Sequence, residues 1–568
     1  MKLISSDKWA NFNRDGLLYF SQRVDEMLYH YSNHIYTVPL LNTKLLIREY
    51  LNISSLVKDG IIHETNLKHV MEELLHSLDT DIVVKEYVDE DLLREIRNLL
   101  NTSNKENIDN VMTYLLGVFS NYNEWCKDYL INIVPQEKEK KKIEKVTRLY
   151  ISGLIGAGYS HEYIYHFNKK IFQDSPVLSI ESLEEFVERF DYKTQTYDVY
   201  VACLKQAEPY YDVLESRLNI KHVNDTSKIG LNYNPEKYNV VHLNVEAIDE
   251  NNAAHMALEI LNVFFKFYDL LTDNNLEWFL NRCKVVASNG VEAVVKLEQN
   301  RFKYITSHSY GEMTEEIISG LLSNAPSTIA TIEKAVTIHN MALSEKNLNN
   351  GFMNLWSVLE IIFVSEHGDS KIKELENKIL PILIKDYIHS CFEELKQCIF
   401  ENADGEKLSS VFQDIDIKED PFWFQKLIIL DENIEKRKEL NVILKDYPLL
   451  RTRINNCNDI FSKKEHFSKE LERFSQRIKW HLRRLYRTRN ELIHSGEKVK
   501  NLKELGEHLH SYVDACLLEI VFRLANDYNI NSIDNVVIDT QVKSELLHKR
   551  LNKKGKVTKE DIEYIFLL

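Results

Sequence analysis

Three residues near the end of this chain, Arg489, Asn490 and His494, carry the groups needed to cut a phosphodiester without a metal. An arginine is always ionised and forks onto phosphate oxygens, so it holds a phosphate and the charge that develops on it. A histidine moves a proton near neutral pH. Attack by a ribose 2′-hydroxyl on its neighbouring phosphate needs a base, an acid and charge stabilisation. The chemistry these residue types suggest is therefore RNA cleavage.

Spacing sets limits on that reading. On a helix, Asn490 and His494 share a face. Arg489 and His494 are five apart, about 140° around the axis, and border one cleft only if the helix ends near Gly496, a residue suited to follow a helix. The helix macrodipole favours a charged histidine at such an end. One helix offers one arginine and one histidine; a second copy across a two-fold axis completes the set, so a homodimer is expected. Spacing alone is a weak signal, because Arg217 with His222 repeats it and Arg477 with His481 comes within one residue of it.

The surroundings say more. From Arg473 to Lys500 there are nine basic residues against two acids, a local net of +7 on a chain whose net charge is −16. Such a reversal reads as an electrostatic footprint for a phosphodiester backbone, with Arg483, Arg484, Arg487 and Lys498 as the expected RNA contacts. The plainer reading is a solvated face balanced by acids elsewhere. Trp480 and Tyr486 lie within the run; packing into the core is the better reading for both, over base stacking.

The stretch Tyr486-Arg487-Thr488-Arg489-Asn490-Glu491-Leu492-Ile493-His494-Ser495-Gly496 resembles the R-[polar]-x-x-x-H hallmark of the HEPN superfamily. Upstream, Phe352-Met353-Asn354-Leu355-Trp356-Ser357-Val358-Leu359-Glu360-Ile361-Ile362-Phe363 is similar to the F-x-x-L-W-x-x-L-E-x-L-[LF] helix of ApeA-like HEPN proteins, departing from it at Ile362. The resemblance covers about 320–530. It implies a metal-independent endoribonuclease of bacterial anti-phage abortive-infection or toxin systems, within a C-terminal HEPN-type helical bundle. It makes Arg489 and His494 catalytic with Asn490 beside them, and Glu360 a residue facing the motif and pairing with an arginine there, with Tyr486 also supporting. It calls for no cofactor and no metal. The alternatives are a non-catalytic RNA- or nucleotide-binding regulatory HEPN protein and a helical interaction protein.

The elements that must position these residues are mainly α. With 568 residues, 44% hydrophobic and 28% charged, there is ample core material, and 16 glycines and 9 prolines are few enough to favour helices. Residues 1–190 read as a helical N-terminal region, with an N-cap at Ser160 after a Gly156-Ala157-Gly158 turn. A small α+β domain is expected at 195–310, with strands at Tyr197–Val201 and Tyr238–Val245, a helix from Ala253 to Leu271, and a hairpin across Asn289-Gly290. The HEPN-like domain, 312–530, carries helices from Thr328 to Leu343, Phe352 to Ser365, Lys371 to Ile388 with Pro381 as a kink or break, Ser468 to His494 and Gly506 to Asn526. An insertion is expected near 390–465 and a C-terminal tail at 531–568.

Other classes are disfavoured. Seven scattered cysteines include no C-x-x-C pair, which argues against a zinc ribbon and fits a reducing cytoplasm. The N-terminus has no long apolar stretch, and runs such as Ile260–Phe265 are too short to span a bilayer, so no membrane is expected. The expected partners are RNA, a second copy of the chain, and a phage-derived trigger or regulatory partner acting through the first 310 residues.

Overall fold

The computed structural model describes the chain apart from residues 1, 5–8, 10–13, 30–31, 33–34, 38–40, 103–104, 175–178, 225–228, 273–275, 297–313, 346, 365–370, 495–498, 500 and 568. The described residues are mainly helical, with one five-stranded antiparallel sheet. They group into two compact units. One comprises Met1–Tyr150, Pro176–Ser179 and Arg301–Leu568; the other comprises Ile151–Ser175 and Ile180–Asn300. The helical stretch expected over 1–190 is thus shared between two cores, divided at Tyr150, inside the helix Lys140–Ala157. Helical periodicity marks a helix but not the core it joins.

In the smaller unit, β1 (Gln195–Leu204) lies at the centre of the order β2-β3-β1-β4-β5, where β2 is Lys221–His222, β3 Tyr238–Ala247, β4 Phe279–Ala287 and β5 Glu292–Lys296. Alternation along β1 buries Tyr197, Val199, Val201 and Cys203 on one face. They share a core with Ala253, Ala254, Ala257, Leu261 and Phe265 of the helix Glu250–Thr272. The expected hairpin is present: β4 pairs with β5, Gly290 has φ +82°, and Asn289 accepts the Val291 N–H at 3.1 Å. Ser160 caps the helix His161–Lys169 through the Tyr163 N–H, following Gly158 at φ +107°.

The larger unit holds the motif. Its helix Leu348–Phe363 starts at the Asn347 cap and buries Phe352, Leu355, Trp356, Leu359 and Phe363. Next comes Lys371–Asn402, a single helix that Pro381 does not end. Proline removes a backbone donor, yet Ile379, Ile382, Leu383 and Ile384 are buried on both sides of it. That packing outweighs the local breaker, so the helix is not broken at Pro381, and the buried Cys391, Phe392, Leu395 and Ile399 carry it past the expected end at Ile388. The region expected as an insertion folds into the short helices Gly405–Phe412, Trp423–Ile429 and Ile434–Ile443, then Pro448–Phe461. Beyond the helices Lys464–His494 and Leu502–Asn526, the stretch expected as a tail forms two helices, Ile533–Leu551 and Lys559–Leu567. Ile562, Ile565 and Phe566 are buried there, and the buried Asp561 pairs with Lys464 and Arg550. Its Lys-rich composition conceals that apolar stripe.

Candidate active site

The motif helix, Lys464–His494, buries Phe467, Leu471, Phe474, Ile478, Leu482 and Leu485 along one side. That apolar row fixes which way the charged residues between them point. Trp480 is buried against His76, with ring centroids 5.2 Å apart, and Tyr486 sits half-buried against Trp356 at 5.7 Å. Both aromatics belong to the packing.

The end of the helix gathers the residues expected to act together. Arg489 is half-buried, and its Nη1 donates to Asn490 Oδ1 at 3.2 Å. Its Nη2 lies 3.8 Å from Glu360 Oε2. The other oxygen of that carboxylate, Oε1, accepts the indole N–H of Trp356 at 3.0 Å. Trp356 and Glu360 are one turn apart on one helix, so the indole orients the carboxylate that faces the arginine. Glu360 thus faces the motif helix, and Tyr486 packs on the same indole. His494 is exposed at the last residue of the helix. Among the described residues no hydrogen bond or ion pair joins it to Arg489. Gly496 and Lys498 lie outside the described residues.

The arginines further back are placed differently from the expectation. Arg483 donates to Glu376 Oε1 at 2.7 Å and lies 3.6 Å from Glu72. Arg484 is buried between Glu49, at 3.0 Å, and Glu73, at 2.6 Å. Arg487 is buried and donates to Glu49 at 2.7 Å. Burial by itself raises a carboxyl pKa, but the charges of Arg484 and Arg487 outweigh it and hold Glu49 down at about 2. Arg484 and Arg487 are consequently not phosphate contacts in this structure. Their charge is spent on acids of the helices Thr43–Lys58 and Thr65–Thr80. The plainer expectation of balancing acids holds in part: Arg473 and Arg477 lie exposed beside Glu470, whereas Arg484 and Arg487 are buried against their acids.

Sequence reasoning missed these partners, and also a hydrogen-bonded run beside them. Tyr512 Oη lies 2.9 Å from His481 Nδ1, His481 Nε2 lies 3.3 Å from His508 Nδ1, and His508 Nε2 lies 3.1 Å from Thr37 Oγ1. The only sequence signal was the spacing of His508 and Tyr512, one turn apart on the helix Leu502–Asn526. No helix among the described residues is long and apolar enough to cross a membrane. Comparison with protein-family models, with curated proteins and with solved structures gives no match for this chain.

Proposed function

We propose that the chain is a metal-independent endoribonuclease of the HEPN type, acting in the cytoplasm as a toxin or effector in anti-phage defence. The observation that carries the proposal is the Trp356–Glu360–Arg489 arrangement. Two sequence segments resembling one family, about 130 residues apart, meet through the side chains that define each segment. The indole holds the Glu360 carboxylate towards Arg489, whose side chain is 25% exposed.

In this reading His494 takes the proton of a ribose 2′-hydroxyl. The 2′-oxygen attacks the phosphorus, and Arg489 holds the charge that builds on the phosphoryl oxygens. The 5′-oxygen leaves, taking a proton from the histidine of a second protomer. The products carry a 2′,3′-cyclic phosphate and a 5′-hydroxyl. Asn490 and Glu360 position Arg489.

The test is RNA cleavage by the purified chain with EDTA present, followed by mapping of the new ends. Arg489→Ala and His494→Ala are expected to lose cleavage; persistence in both would sink the assignment. A second reading, a non-catalytic interaction protein, is favoured by the ion pairs that neutralise Arg483, Arg484 and Arg487. It predicts no cleavage under any condition and a less stable Arg489→Ala chain.

A further inference from the structure

A second cluster of chemically capable side chains lies in the larger unit. His339, on the helix Ile329–Ser344, meets His510 and Asp514, one turn apart on the helix Leu502–Asn526. His510 is fully buried and His339 nearly so, and the Asp514 side chain is only 15% exposed. One ligand atom from each residue lies within 4.8 Å of the others. His339 Nε2 is 2.9 Å from Asp514 Oδ1, and His510 Nε2 is 3.3 Å from Asp514 Oδ2.

Those separations suit donors that share an ion. Two donors bound tetrahedrally at about 2.1 Å stand roughly 3.4 Å apart. His339 Nε2 is also buried without an aligned hydrogen bond, although a carboxylate oxygen lies beside it. A histidine–carboxylate network, in which Asp514 takes both imidazoles, is the competing account, and metal titration separates the two.

We infer that His339, His510 and Asp514 bind a divalent first-row transition ion, of which zinc is the expected occupant. Two imidazoles and one carboxylate suit such an ion and leave one coordination position open. The ion ties the helix Ile329–Ser344 to the helix Leu502–Asn526. Its three ligands are residues other than Arg489 and His494, and the inference stands whether or not the chain cleaves RNA.

The test uses the full chain, purified without chelators or immobilised metal. Zinc content is measured by mass spectrometry, and Zn2+ is titrated into stripped protein against a chromophoric chelator. One tightly held ion per chain is expected, with affinity at least about a hundred-fold weaker in Asp514→Asn and His339→Gln. Absence of saturable binding in the wild type, or variants that bind as the wild type does, overturns the inference. If a variant does not fold, Co2+ loaded into the wild-type chain decides. The intense visible bands of a four-coordinate site support the inference, and the weak bands of six-coordinate Co2+ overturn it.

Discussion

Arg487 donates its Nη2–H to Glu49 at 2.7 Å across 438 positions of chain. The contact joins the helix Thr43–Lys58 to the last third of the motif helix. Glu49 also takes Arg484, so one carboxylate answers two buried guanidiniums. A buried ion pair adds little net stability when intact, because desolvation offsets the attraction. Losing one partner is costly, because a charge is then buried alone.

Glu49→Gln is therefore expected to destabilise the chain by about 3–5 kcal/mol, the usual cost of an uncompensated buried charge. Glu73→Gln is expected to cost less, since Arg484 keeps Glu49. Urea unfolding followed by circular dichroism checks the order of the two. A Glu49→Gln chain as stable as wild type would mean that these pairs do not hold the helices together.

The same carboxyl predicts a pH dependence. Burial raises its pKa, but the two arginines bring it down to about 2 from an ordinary 4.5. The folded state therefore binds its proton more weakly than the unfolded chain does. The contribution to stability is fully present above about 4.5 and is lost as pH falls towards about 2. The stability gap between wild type and Glu49→Gln should narrow across that window. A gap that stays constant with pH would place the effect in packing and not in charge.

Trp356→Phe separates positioning from packing. Phenylalanine keeps most of the ring that meets Tyr486 but removes the indole N–H that holds Glu360. The lost hydrogen bond is expected to cost about 1 kcal/mol of stability. Cleavage is expected to fall by roughly tenfold, the equivalent of about 1.4 kcal/mol in the barrier, through a less well-held Arg489. Glu360→Gln keeps the hydrogen-bond shape and loses the charge, so it should retain more activity than Glu360→Ala. Equal loss in both would deny Glu360 a role in orientation.

How far these features were legible depends on the range of the interaction behind each. The Trp356–Glu360 pair is one helical turn apart, and the Asn289-Gly290 hairpin is set by a dipeptide, so both could be read from local sequence. The composition of the motif helix gave its sign of charge correctly, but the fate of that charge depends on Glu49, Glu73 and Glu376. Those residues sit on helices of ordinary composition more than a hundred positions away. Pro381 misled because a local breaker was judged without the buried isoleucines around it. His339 and Asp514, 175 positions apart, had no local mark, and only folding brings them to 2.9 Å.

The active species is expected to contain two chains. One motif helix supplies one Arg489 and one His494, and the proposed reaction needs a proton acceptor and a proton donor together. His494 is exposed at the helix end, where a second copy can approach it. Cleavage per chain is therefore expected to fall on dilution, in step with the fraction of dimer. Sedimentation velocity and initial cleavage rates measured over the same concentration series check this. If specific activity stays constant where sedimentation shows only monomer, one protomer carries the whole reaction. Another base or acid of the same chain must then supply the missing proton transfer.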